Sequence, residues 1–125
     1  MLIQLKNNSN VNLDVIESGS SQWGNYQKYE DGTLIQWGKM EVTQAIQTAN
    51  GSTGFYRTAN PTYSEYAIPF LDGSTPSLVL TPQSAINLTY INNYDSNMFV
   101  FYALSSYSSP SATRYVNWVA IGKWK

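Results

Sequence analysis

A chain of 125 residues with seven basic and eight acidic side chains is long enough for one hydrophobic core, and its net charge of −1 offers no field for nucleic acid or anionic lipid. Only 12% of its residues are charged, against roughly 25% in an ordinary soluble domain, so Ser, Thr, Asn and Gln carry the polarity. Cysteine and histidine are both absent, which removes disulfides, thiolate nucleophiles, zinc sites with N/S ligands and any triad that needs an imidazole base.

The chain opens with a strand segment over residues 1–17. Met1 to Lys6 lacks a basic stretch followed by an apolar one, so no signal peptide is expected there. After the polar turn Asn7-Asn8-Ser9-Asn10, the alternation of Val11, Leu13 and Val15 suits a half-buried strand. Ser18-Gly19-Ser20-Ser21 is expected to break the chain before a strand from Trp23 to Tyr29. Asp31-Gly32 then predicts a tight type I′ hairpin turn, whose two central residues both need positive φ, feeding a strand over residues 33–43. Apolar residues in that strand are odd-numbered before Gly38 (Ile35, Trp37) and even-numbered after it (Met40, Val42). A period of two cannot change parity without an extra residue, so a β-bulge is predicted at Gly38.

Residues 49–66 are turn-rich and aromatic and read as a long loop or a loose hairpin. A second loop covers residues 71–77, strands follow at 78–81 and 84–91 split by Pro82, and residues 92–97 read as a turn. Residues 98–104 and 115–124 are strands, joined by a Ser/Tyr/Pro loop at 105–113. No segment sustains a helical period, and turn residues recur about every 8–12 positions, the spacing of an all-β sandwich or barrel. The predicted fold is a single all-β domain over residues 1–125, an antiparallel β-sandwich with a body at 18–125. The runs Met98 to Leu104 and Trp118 to Ile121 are apolar on successive residues, so both faces of those strands need cover. A second sheet with loops, or another copy of the chain, supplies that cover. We favour the copy, so a homo-oligomer is expected.

With these residues in hand, the sequence resembles the C-terminal receptor-binding domain of bacteriophage tail fibres, in the group whose tip is an H-type-lectin-like β-sandwich. The resemblance rests on Val15-Ile16-Glu17 with Tyr26 to Gly32 and Leu34-Ile35-Gln36-Trp37-Gly38, on Tyr66-Ala67-Ile68-Pro69-Phe70, and on Trp118-Val119-Ala120-Ile121-Gly122-Lys123. It runs from about Val15 to Lys125 and implies a homotrimer at the tip of a virion tail fibre. Its partners there are other tail proteins and a host cell-surface polysaccharide or glycoconjugate, with no nucleic acid and no membrane insertion. Binding loops vary across that family, so no motif carries ligand residues onto this sequence.

Candidate ligand contacts come instead from loop aromatics and polar neighbours. Tyr56, Arg57, Tyr63 and Tyr66 combine flat rings with a guanidinium, suited to stacking on sugars and to charged hydrogen bonds with acidic or hydroxylated glycans, and the rival reading is ordinary loop packing. Tyr94, Asp95 and Asn97 form a second group, readable equally as a strand-connecting turn, and Tyr107 with Arg114 a third. Asp31, Gly32, Trp37 and Trp118 read as scaffold. No pair among the eight carboxylates is singled out by spacing, so no catalytic residue, metal or cofactor is expected. The expected role is glycan binding without catalysis. A structural trimerisation cap is the alternative, followed by a polysaccharide-degrading tail component.

Overall fold

The final strand of the chain pairs along its whole length with the strand that follows the Asp31-Gly32 turn, in unbroken register from Lys123 opposite Thr33 to Arg114 opposite Val42. The computed structural model describes residues 14–83 and 85–125, so the expected strand at Val11 and Leu13 lies outside the described residues. Its strands are β1 (Val15–Ser21), β2 (Gly24–Tyr29), β3 (Thr33–Val42), β4 (Ile46–Ala49), β5 (Tyr56–Thr58), β6 (Thr62–Glu65), β7 (Ser77–Pro82), β8 (Leu88–Tyr94), β9 (Met98–Ser105) and β10 (Arg114–Lys123), with no helix among the described residues. They form two antiparallel five-stranded sheets. The first has the order β1-β2-β3-β10-β7; the second is built on β9. β8 pairs with nearly the full length of β9, and a strand has only two edges, so β5 and β6 succeed one another along the other.

The core lies between the sheets. Phe99, Phe101 and Ala103 of β9 face Leu34 and Val42 of β3 and Val116, Trp118 and Ala120 of β10, with Tyr66 and Phe70 closing one end. Tyr66 sits edge-on to Phe70 at 4.8 Å between ring centroids and 5.8 Å from Trp118, while Phe99 and Trp118 meet at 5.4 Å. These T-shaped arrangements direct positive ring edges at negative faces, worth roughly 0.5–1.5 kcal/mol per pair beyond burial itself.

Four local expectations are corrected. No bulge occurs at Gly38, because the apolar parity misleads: the core-facing residues of β3 are even-numbered throughout, and one of them is Gln36. Ile35 and Trp37 instead point to the outer face. Gln36 is fully buried and satisfied, its Nε2 donating to the Ile68 carbonyl at 2.7 Å and its Oε1 accepting from the Ile68 amide at 3.0 Å. Gly38 is needed for space instead, since a Cβ there would lie 2.7 Å from Trp118 Nε1 and 2.8 Å from the Trp23 carbonyl.

The hairpin turn is not type I′ either. Among the described residues Gly32 has positive φ and Asp31 does not. The Gly32 amide donates to the Tyr29 carbonyl at 3.1 Å, giving a three-residue connection with glycine in the left-handed position. Residues 18–21 do not break the chain but pair with β2, the reversal falling at Gln22 and Trp23. The expected turn at 92–97 is shorter too. Asn92 to Tyr94 belong to β8, after a register shift between Ile91 and Asn93, and the reversal is confined to 95–97.

Gln36→Leu removes two buried hydrogen bonds and leaves the Ile68 amide and carbonyl unpaired, so urea unfolding should show a loss of about 2–4 kcal/mol. Gly38→Ala should lose about 1–3 kcal/mol through overpacking against Trp118. The turn carries a pH dependence. The Thr33 amide donates to Asp31 Oδ1 at 2.9 Å and holds that carboxyl below the ordinary range. A depressed native pKa gives stability that is complete above the unfolded value of about 3.9 and lost as pH falls through the native one. The unfolding midpoint should therefore fall less steeply with acid below about pH 4 in Asp31→Asn than in the parent chain.

Candidate functional site

On the second sheet the even-numbered residues of β9, Met98, Val100, Tyr102 and Leu104, face outward because the odd-numbered ones fill the core. Tyr102 stands directly opposite Tyr90 of β8, with ring centroids 6.5 Å apart and planes tilted by 32°. From the other edge Arg57 of β5, opposite Leu104, reaches diagonally so that its guanidinium carbon lies 4.7 Å from the Tyr102 ring centroid. Arg57 Nη1 also donates to the carbonyls of Thr58 at 2.9 Å and Ala59 at 3.1 Å. Those carbonyls are turned toward it by an irregularity in the strand edge. Between the Arg57–Leu104 and Thr62–Phe101 pairs, residues 58–61 oppose only Tyr102 and Ala103. The result is a row, Tyr90–Tyr102–Arg57, with Tyr90 58% exposed at one end and a fixed guanidinium at the other.

Sequence reasoning finds one member of this row. Arg57 is in it, and Tyr63 lies on the same outer face opposite Val100, 49% exposed and edge-on to Trp23 at 6.1 Å. Tyr56, next to Arg57 on β5, faces the other way and packs against the core half-buried. Tyr66 is a correction, because only 3% of it is exposed among Phe70, Phe99 and Trp118. Burial, with the nearby Asp95 charge, pushes its hydroxyl above the ordinary phenol range. Tyr94, Asp95 and Asn97 gather at the β8–β9 reversal, where Asp95 Oδ1 accepts from the amides of Asn97 at 2.7 Å and Met98 at 3.0 Å. That carboxylate closes the turn. Tyr107 is exposed in the 106–113 loop. Tyr90 and Tyr102 escape sequence reasoning because both sit inside predicted strands, whereas the candidate contacts are sought in loops and turns. The available sign was parity: Phe99 and Phe101 place Tyr102 on the opposite face.

Arg114, a candidate contact in the sequence, is the other correction. It is 3% exposed and donates to Gln44 O at 3.1 Å, to Pro110 O at 2.6 Å and to Ser109 Oγ. Gln44 in turn binds the Asn60 backbone from both sides, Nε2 to its carbonyl and Oε1 from its amide, each at 3.2 Å. Arg114 thus fastens the 106–113 loop to the segment that holds the β5–β6 irregularity, and so stands behind Arg57 without touching a ligand surface.

The outer face of the first sheet has a different chemistry. The register aligns Val79, Val119 and Trp37 across β7, β10 and β3, and places Ile121 beside Ile35 in the next row. Val79, Val119 and Ile121 are 61%, 43% and 47% exposed, a contiguous apolar patch rather than scattered residues. The expected cover of both faces of β10 is thus absent within one chain, since Val119 and Ile121 lie open beside the buried Trp118 and Ala120. Among the described residues no three acidic side chains gather where a metal ion would sit, and no helix is long and apolar enough to cross a membrane.

No family model and no curated protein matches this sequence. Solved structures do. An N-truncated R1-type pyocin tail fibre superposes with a TM-score of 0.60 at 16% identity, over 87% of this chain and 88% of that one. A C-terminal portion of the Pseudomonas aeruginosa R2 pyocin fibre aligns with 88% of this chain at a TM-score of 0.52 and 14% identity, and the corresponding R1 portion with 87% at 0.60 and 16%. This chain spans 27% and 29% of those two longer portions. It shares the β-sandwich fold of these fibre domains.

Arg114→Met leaves three acceptors without their charged donor, so it should cost about 2–4 kcal/mol in chemical unfolding. Gln44→Ala should cost less, about 1 kcal/mol, because its partner Asn60 is exposed to water.

Proposed function

We propose that this chain is the tip domain of a phage-tail-like fibre, carried on a virion or a related injection device, and that it binds a cell-surface glycan of the target bacterium in lectin fashion without cleaving it. The observation that carries this reading is the overlap with the N-truncated R1-type pyocin tail fibre, which is nearly complete in both directions. The row Tyr90–Tyr102–Arg57 supports the glycan. It joins flat apolar rings to neutral and charged donors on a rigid sheet, the combination that captures a sugar's CH face and its hydroxyl rim together.

The domain works as a homotrimer in this reading, with the patch of Val79, Val119, Ile121 and Trp37 packed between copies. Apolar area of that kind on a chain with so few charges is stable in water when another copy covers it. Three linked sites then turn weak single-site affinity into firm attachment.

Fluorescently labelled chain incubated with a panel of bacterial strains should stain a subset. Periodate oxidation of the surface sugars should abolish that staining, and proteinase treatment should not. Tyr90→Ala and Tyr102→Ala should each weaken it at least tenfold, while the bound polysaccharide keeps its length on gel filtration. In light scattering the chain should run at three times its 14.0 kDa mass, and Val119→Asp with Ile121→Asp should reduce it to a monomer. A trimer that stains no strain supports a fibre-closing cap instead, and shortened polysaccharide supports an enzyme.

A further inference from the structure

Resting on that glycan reading, we propose that the outer face of the second sheet selects an acidic saccharide. A sugar carboxylate pairs with Arg57 and the sugar ring lies on Tyr90. Three observations point to charge rather than to sugar in general. Arg57 is held in place, with Nη1 tied to the carbonyls of Thr58 and Ala59 and its guanidinium carbon over the Tyr102 ring, so little side-chain entropy remains to be lost on binding. It is also the only cationic side chain on this sheet among the described residues, because Lys28, Lys39 and Lys123 belong to strands of the first sheet and Arg114 is buried. Among the described residues no carboxylate forms an ion pair with it; the ion pair there joins Lys28 to Glu17 on the first sheet.

Arg57 is only partly buried, and a ligand seated along Tyr90 and Tyr102 covers what still faces water. Removing that water without supplying an anion is unfavourable, whereas a carboxylate replaces it with a planar, two-pronged pair. Charge also varies along the face. Arg57 lies level with Leu104 at one end of β9; Glu65 is opposite Met98 at the other, roughly 20 Å away at about 3.3 Å per residue, and Asp95 precedes it in the turn. The acidic end repels the same carboxylate, so the face discriminates the orientation of the chain it binds.

Biolayer interferometry of the full chain against immobilised polygalacturonate, hyaluronate and polysialate, each beside its carboxyl-reduced derivative, tests this. At least one acidic polymer should bind tenfold or more tightly than its reduced partner. Arg57→Gln should bring the acidic polymer down to within about twofold of its reduced partner, with the loss for the reduced form much the smaller of the two, and Arg57→Lys should restore the difference only in part. Tyr90→Ala should weaken both forms, and an unchanged thermal midpoint confirms that these variants fold. Equal binding of acidic and reduced polymers overturns the selection of charge, as does cell staining that persists with no acidic polymer bound. Absence of periodate-sensitive staining on every strain overturns the glycan reading itself.

Discussion

The two hydrogen bonds between the Gln36 side chain and the Ile68 backbone hold the β6–β7 crossing between the sheets. Residues 66–70 carry the chain from the second sheet to the first without belonging to either ladder, so their backbone groups need partners from outside. Tyr66 N donates to Asn97 O, Phe70 N to Ser96 O, and the Ile68 amide and carbonyl both meet Gln36. A leucine at position 36 fills the space and meets neither. The buried amide side chain is therefore the means by which β3 recognises the crossing segment, and the aromatic cluster of Tyr66, Phe70, Phe99 and Trp118 packs around a backbone already fixed in place.

With the crossing fixed, the two outer faces acquire separate characters. β9 is central to one and β10 to the other, and each is buried on its inner side by alternate residues. The outward residues include Tyr90, Tyr102 and Arg57 on the second sheet and Val79, Val119 and Ile121 on the first. A sandwich of this kind presents two surfaces back to back, and here they differ in chemistry.

The sequence was legible where side chains follow the rules of burial. The strands at 98–104 and 115–124, the loops at 71–77 and 105–113 and the Asp-Gly reversal all fall within a residue or two of their places. It misled where a polar residue occupies a core position. Gln36 inside with Ile35 and Trp37 outside inverts the usual preference, and that inversion produces the apparent change of parity at Gly38. The candidate site failed for a related reason. Tyr66 and Tyr94 look alike in sequence, yet one is packed in the core and the other 40% exposed, and the difference is set by pairing with β9 and by the crossing segment, neither of which is local. Arg114 shows the same limit. A lone arginine beside a Ser-rich loop looks like a contact, and only the carbonyls of Gln44 and Pro110 and the Ser109 hydroxyl show that it is a fastener.

The four-for-two irregularity between β5 and β6 bears on how such a surface changes over generations. Thr58, Ala59 and Asn60 hold Arg57 and Gln44 through main-chain carbonyls and an amide, while the side chains of Ala59 and Asn60 project into solvent. Main-chain groups are the same whichever residue stands there. Substitutions at these two positions can therefore add bulk, charge or hydroxyls beside the guanidinium without loosening it. Change of the exposed surface and upkeep of the scaffold are thus written in different atoms of the same residues.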